Sequence, residues 1–452
     1  MGLPERANHT QPVYNSQVIT KRHPIASHAL ALPPTRHPWR ILVSIVVFLV
    51  IFGLSFVTMV MADVSSWAKK VDISSMLGTE HRKEKPKDPQ DSFANRDLNV
   101  LVIGTDYRAH KEYDERGQLV VGMRSDTTLL AHISANRQRI EIMSIPRDLM
   151  VDRPECSYQD GHTEPASLRK VQFNSVFSLL SQDKFIAPGT ACTIKAVEKL
   201  TGVYIDQFVV VDFDGFQNMV AALGGVPMCF ENPLKDRLAG LDVPAGCHTL
   251  DPVQALAFAR ARKGIGDGSD IGRIGRQQQL VGAMMKEAKS RNLLTDLPSL
   301  YAFLKAGMKS LTTSEEFGSA TNMGGLAVSL AKIKPENIRF YTLPFGEYPP
   351  DPARVAVADN ADEMFKALRA DTPIPSIFSY QDLDGKQVEA TPEASADPDA
   401  SNSSRTSGDS DESSVESGQS TSLSDTGDLT SRHNGSGTSI NRYDSGTSRG
   451  SR

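Results

Sequence analysis

Hydrophobic and polar residues follow three different regimes along this chain. Residues 41–62, ILVSIVVFLVIFGLSFVTMVMA, are uncharged and apolar on every helical face. Between about 97 and 380, short β-branched runs alternate with segments of helical period. From about 385 onward the chain is Ser, Thr, Gly and Asp with almost no large apolar residue. Such a composition buries too little surface to offset ordering entropy, so 385–452 is expected to be a disordered tail.

The run at 41–62 has the roughly 20 apolar residues that a helix needs to cross a bilayer. A buried core helix of that length would carry a polar stripe, and a cleavable signal would have a shorter apolar run, about 7–15 residues. The run reads as a single transmembrane helix. Lys21, Arg22, Arg36 and Arg40 precede it and the nearest positive charges after it are Lys69 and Lys70. The positive-inside rule then keeps 1–40 as a cytoplasmic arm and puts everything after 62 outside, in a single-pass protein of the cell membrane. Residues 63–96, charged and Pro-containing, read as a stalk.

Within 97–380, LNVLVIG (98–104), TTLLAHI (127–133), RIEIMSI (139–145), DQFVVVDF (206–213) and NIRFYTL (337–343) have the length and turn boundaries of strands. Helical patterns fall near 172–183, 190–201, 213–223, 252–262, 273–290, 296–307 and 314–332. Three strands come first without intervening helices and should pair antiparallel; later strands alternate with helices. The expected fold is an α/β/α layered domain with a mixed central sheet, about the upper size of a single core.

Charge narrows the function classes. The chain carries 49 Lys and Arg against 54 Asp and Glu, a net −5, and its folded part lacks interleaved aromatics in a basic patch, so a nucleic-acid surface is not expected. The cysteines, Cys156, Cys192, Cys229 and Cys247, all lie in the exported part, where oxidation is favoured. Pairing Cys156 with Cys192 and Cys229 with Cys247 lets each bridge bracket one local stretch. No CxxC pair exists and His162 and His248 stand alone, which argues against zinc.

Antiparallel pairing also gathers chemistry. Strand 98–104 runs into Asp106, strand 127–133 is preceded by Arg124 and Asp126, and strand 139–145 ends at Arg147 and Asp148. These five residues should meet on one rim of the sheet. Carboxylates bind hard cations such as magnesium, which shares its remaining positions with phosphates and water. Arginine forks complement phosphate oxygens. A second basic group lies in 258–279, with Arg260, Arg262, Arg273, Arg276 and Gln277 around Gly264, Gly266 and Gly268. The glycines match no dinucleotide fingerprint, because no apolar strand precedes them.

The ordered motifs GTDYR (104–108), RSDTTLL (124–130), SIPRDL (144–149), FNSVF (173–177), TGVYIDQFVVVDFDGF (201–216), LGGVPM (223–228), ALAFARAR (255–262) and RIGRQ (273–277) resemble the LytR-CpsA-Psr family of cell-envelope phosphotransferases. That resemblance implies a magnesium-pyrophosphate site at the mouth of an apolar pocket for a polyprenyl chain. It implies transfer of a glycan, as its sugar-phosphate, from polyprenyl pyrophosphate onto a peptidoglycan hydroxyl. By motif, Asp106 and Asp126 resemble the Mg2+ ligands, while Arg124, Arg147, Arg260, Arg262, Arg273 and Gln277 resemble the pyrophosphate binders. Asp106, Asp126, Arg147 and Asp148 form the catalytic set, with the three aspartates as candidates for taking the hydroxyl proton. The cysteine placement is similar to the actinobacterial branch, which implies arabinogalactan or a related wall polymer as cargo. The stretch between Asp106 and Asp126 is longer than the family pattern, and VQFN (171–174) departs slightly from it. Two other readings use the same residues: a pyrophosphatase with water as acceptor, and a non-catalytic receptor for lipid-linked intermediates.

Overall fold

The computed structural model describes residues 38–67, 69–78, 93–106, 123–181, 185–262, 270–290, 305, 307 and 311–391. The arm before residue 38, most of the loop between Asp106 and Asp126, the glycine loop 263–269, most of the helix expected at 296–307 and the tail from 392 lie outside them.

A central sheet of nine strands organises the domain. Its members in chain order are β1 (Lys69–Lys70), β2 (Leu98–Thr105), β3 (Ser125–Ile133), β4 (Ile140–Ile145), β5 (Gln207–Val211), β6 (Leu311–Thr313), β7 (Ile338–Thr342), β8 (Tyr380–Gln381) and β9 (Gln387–Val388). They lie side by side as β1-β6-β5-β2-β3-β4-β7-β8-β9. As expected, β3 pairs antiparallel with both β2 and β4. The flanking strands β5 and β7 run parallel to β2 and β4 and make the sheet mixed.

Period-2 alternation divides the strand residues between two cores. Leu101, Ile103, Leu130, Met143 and Val210 face one side. There they pack on α2 (Phe173–Leu180), α3 (Ala187–Thr201) and α8 (Ala361–Arg369), through Phe177, Val197 and Phe365 among others. Val100, Leu129, Ile142 and Phe340 face the other side, against α6 (Asp270–Ser290) and α7 (Ala320–Leu330). Every residue of β4 is buried, which fits a strand covered on both faces. The layers are therefore α/β/α.

A smaller core unites α4 (Phe213–Ala222), α5 (Pro252–Arg260) and the ribbon Val226–Phe230 with Gly246–Leu250. Helix α5 starts where Asp251 accepts from the amides of Val253 and Gln254 while Gln254 returns a bond to the Asp251 amide, with Pro252 just inside. Helix α3 stops at Gly202, whose φ of 67° lies in the left-handed region that glycine enters without penalty. Both expected disulfides are present, Cys156–Cys192 and Cys229–Cys247.

Three expectations change. The tail does not begin at 385: β9 pairs antiparallel with β8 as the edge of the sheet, because a turn at Gly385 returns the chain, so the folded part extends past 380. The segment 63–96 is not a plain stalk: β1 joins the sheet, and Ile73, Met76 and Phe93 are buried. Its apolar residues are too sparse to announce structure; Ile73 and Met76 become core by joining one face of the sheet and Phe93 by joining the other. The helix expected over 314–332 is confined to Ala320–Leu330, because the preceding residues supply β6 and a turn. Helix α1 (Pro38–Trp67) contains the apolar run 41–62. Its described side chains are interrupted from residue 56 onward, and no described stretch is long and apolar enough to cross a membrane.

Candidate functional site

Three strand ends and one helix start meet at the same rim. A register shift between Gly104 and Thr105 turns the end of β2 so that Thr105 pairs with Ser125. Gly104 is tightly placed at that turn: a Cβ there would stand 3.1 Å from Cβ of Thr127, which would have to give by a few tenths of an ångström. Beyond the pairing, the Asp106 amide donates to the Arg124 carbonyl at 3.3 Å, and the Arg124 amide donates to Asp106 Oδ1 at 2.7 Å. Asp106 is thereby fixed by backbone, and the Arg124 side chain stays exposed.

Arg147 is the hub. Its Nη1 donates to Asp126 Oδ1 at 2.9 Å, and its Nε lies 3.0 Å from Asp270 Oδ1 and 3.6 Å from Asp148 Oδ2. Asp270, at the first turn of α6, also receives Arg273 Nη2 at 2.6 Å; the same nitrogen donates to the Asp126 carbonyl at 3.2 Å. A carboxylate there faces the positive end of the helix dipole as well. Asp148 is held from its other side, where Oδ1 accepts from Gln172 Nε2 and, at 2.8 Å, from Arg354 Nη1.

Burial shapes the charges. Desolvation raises the Asp106 pKa, and the nearby Asp126 charge adds to the effect against the Arg124 amide and guanidinium. Burial also raises Asp270, with Arg273 and Arg147 opposing. Burial lowers Arg273. For Arg147 burial works downward too, but Asp126 and Asp270 outweigh it, and its pKa rises. The Nε atoms of Arg147 and Arg273 and both Asp270 oxygens are buried without a hydrogen-bond partner among the described residues. Charge contact exists here, but hydrogen-bonding capacity is left over, an expensive state unless a ligand uses it.

The remaining expected residues divide. Arg262 approaches the cluster closely enough for its charge to act on Asp270 and Arg273, and its amide donates to Asp236 Oδ2 at 2.6 Å. Arg260 instead places its guanidinium 4.9 Å over the Phe213 ring. Gln277 Nε2 donates to the Ala259 carbonyl at 3.1 Å, and Arg276 Nη2 to that of Ala261. Both tie α6 to the end of α5. Sequence reasoning missed Asp270, Gln172 and Arg354. Asp270 had a local signal, its position one helical turn before Arg273, and Gln172 lies in the VQFN stretch already noted, while Arg354 had none.

Asp106 and Asp126 are the two carboxylates whose charges act on each other at the mouth of this cluster. Among the described residues no group of three or more His, Cys, Asp or Glu is placed to hold a metal ion. Two carboxylates are nonetheless a sufficient protein share for magnesium, which keeps water and phosphate oxygens as its other ligands. A cleft of about 350 Å3 beside residues 71–77 and one of about 890 Å3 beside the C-terminal half of α6 contain none of the cluster residues.

The chain matches the LytR_cpsA_psr family over residues 62–370. It is 28% identical over 281 residues to the probable cell wall biosynthesis protein LcpB of Corynebacterium glutamicum, covering 60% of this chain and 61% of that one. It is 27% identical over 272 residues to the polyisoprenyl-teichoic acid–peptidoglycan teichoic acid transferase TagT of Bacillus subtilis, covering 58% and 72%. A crystal structure of B. subtilis TagT aligns with 64% of this chain and 95% of that one, at 21% identity and a TM-score of 0.44. The chain spans about half to three fifths of the length of its Corynebacterium relatives.

Proposed function

Because the chain belongs to the LytR_cpsA_psr family, we propose that it is a phosphotransferase that moves a glycan, as its sugar-phosphate, from a polyprenyl-pyrophosphate carrier onto a peptidoglycan hydroxyl. The observation that carries this reading is the cluster around Arg147, where guanidinium groups from the turn after β4 and from α6 meet among carboxylates with buried hydrogen-bonding capacity left over. A diphosphate supplies acceptor oxygens that guanidinium forks bind in well-aligned pairs.

In this reading Arg147, Arg273 and Arg262 hold the diphosphate and stabilise charge that develops as the acceptor oxygen attacks phosphorus. The bond from that phosphorus to the polyprenyl phosphate oxygen breaks, and polyprenyl phosphate leaves. Asp106 and Asp126 would hold Mg2+, which would neutralise phosphate charge. Asp106 favours this role because its ionised form is disfavoured by burial and by Asp126, and a cation relieves both. The prenyl chain would lie along the apolar face that carries Val102, Val211, Val281 and Met285, which is only partly buried.

The apolar run of α1 would anchor the protein in the cell membrane with its catalytic domain outside. Arabinogalactan or a related wall polymer is the proposed cargo, supported by the paired cysteines and the likeness to Corynebacterium proteins.

The test is product analysis. Full-length protein, a polyprenyl-pyrophosphate oligosaccharide, Mg2+ and peptidoglycan should yield a phosphodiester between glycan and peptidoglycan. Release of only free glycan phosphate would show a pyrophosphatase instead.

A further inference from the structure

Arg354 stands at the base of the ribbon Phe345–Glu347 with Val355–Val357, far in sequence from every motif of the cluster. The ribbon is docked at the end of β4: Leu149 bridges Val355, and the Val355 amide donates to the Asp148 carbonyl at 3.3 Å. Docking brings Arg354 Nη1 to 2.8 Å from Asp148 Oδ1, the oxygen that Gln172 also engages. Asp351 steadies the guanidinium from the loop, with Oδ2 at 3.6 Å from Nε.

Arg147 Nε lies between two carboxylates, 3.0 Å from Asp270 and 3.6 Å from Asp148. How the fork divides depends on how much charge Asp148 presents. With Arg354 in place, Asp148 is neutralised from behind and the fork stays on Asp126 and Asp270. Without it, Arg147 is the remaining cation in contact with Asp148, and Coulomb attraction turns Nε toward that carboxylate. Side-chain exposures of 32% for Arg354, 15% for Asp148 and 17% for Arg147 leave these charges less screened than a surface pair.

We infer that Arg354 is a positioning residue of this site, acting through Asp148 to hold the Arg147 guanidinium in the orientation that receives a diphosphate. The inference rests on the diphosphate reading above. It makes a distal ribbon part of the site, and the dependence is on one hydrogen-bonded charge rather than on a fork. Lysine can therefore replace arginine at 354, unlike at 147, where several carboxylates share one planar group.

The experiment is titration of the full-length chain in detergent with geranylgeranyl pyrophosphate and Mg2+, followed by calorimetry. Arg354→Met should bind about tenfold more weakly, and Arg354→Lys should recover most of that loss. Combined with Arg147→Met, Arg354→Met should add less than about twofold, because both changes act through one guanidinium. Thermal unfolding of each variant checks folding; if Arg354→Met does not fold, Arg354→Gln takes its place in the same cycle. Binding by Arg354→Met within about twofold of the parent, or losses that multiply in the double variant, overturns the inference. A parent chain that fails to bind the probe overturns the diphosphate reading itself, and the inference falls with it.

Discussion

Asp126 and Arg147 lie directly across from each other, two residues beyond Thr128 and Ile145, the last paired positions of β3 and β4. Their 2.9 Å ion pair continues the register after the ladder has stopped. The fork therefore sits in the turn straight after β4, two residues past a paired strand end.

Replacing that fork should be costly to chemistry. Arg147→Lys keeps a positive charge but cannot contact Asp126, Asp270 and an incoming phosphate together. Transfer should fall by about 10²-fold or more, as for loss of a preorganised donor. Single-turnover rates on folded, full-length protein check this; a rate near the parent's would remove Arg147 from the mechanism.

Neighbouring residues on α6 should behave differently. Arg276 is buried and bonded to the Ala261 carbonyl, and Gln277 to that of Ala259, so both hold α6 against α5. Arg276→Met should cost about 1–3 kcal/mol of stability by orphaning a buried carbonyl, and the folded fraction should keep most of its activity. Denaturant titration alongside specific activity separates this from Arg273→Met, where activity should fail first.

The raised Asp106 pKa has a pH consequence of definite sign. The folded state holds this proton more tightly than the unfolded chain, whose reference is 3.8. Ionising Asp106 therefore costs stability as pH rises from that reference through the raised value, and the cost is constant above it. Relative to the parent, Asp106→Asn should gain stability across that window and then plateau. Mg2+ should narrow the gap by favouring the ionised parent. Chemical denaturation from pH 3.5 to 7, with and without Mg2+, reads both effects, and a pH-independent difference would contradict them.

Each disulfide should stabilise mainly by restricting the unfolded chain. The sequence separations of 36 and 18 correspond to about 4 and 3 kcal/mol on the loop-entropy relation. Paired Cys→Ser changes at 229 and 247 should lower the Tm but leave transfer measurable, because that ribbon packs in the smaller core and supplies none of the contacts of Arg147 named above. Loss of all activity in a folded double variant would mean that the ribbon shapes the site.

Local patterns made a good part of this legible. β2, β3 and β4 are short apolar runs bounded by turn residues, and their antiparallel order alone puts Asp106, Asp126, Arg147 and Asp148 on one rim. The ribbon at 226–230 was not legible, because its burial alternates only against a partner twenty residues away and its exposed positions include Pro227 and Cys229. Lys69–Lys70 gave no strand signal either; two exposed lysines become an edge strand only because β6 offers its backbone.

Sequence alone determined the apolar run of α1, the strand periodicity, the rim of aspartates and arginines, and a cysteine pairing that joins local neighbours. The run and the periodicity are properties of residues close in the chain, where backbone geometry and side-chain period act directly. The rim and the pairing follow once consecutive strands pair antiparallel and cysteines bridge within one stretch. Tertiary structure decided which charges meet. Arg147 is shared with Asp270, Asp148 is backed by Arg354 and Gln172, and Arg260 turns to Phe213. Those contacts join segments more than one hundred residues apart in two cases, Arg147 with Asp270 and Asp148 with Arg354. An ion pair is short-ranged and depends on desolvation, so its partners are chosen only after the sheet, α6 and the ribbon have closed around it.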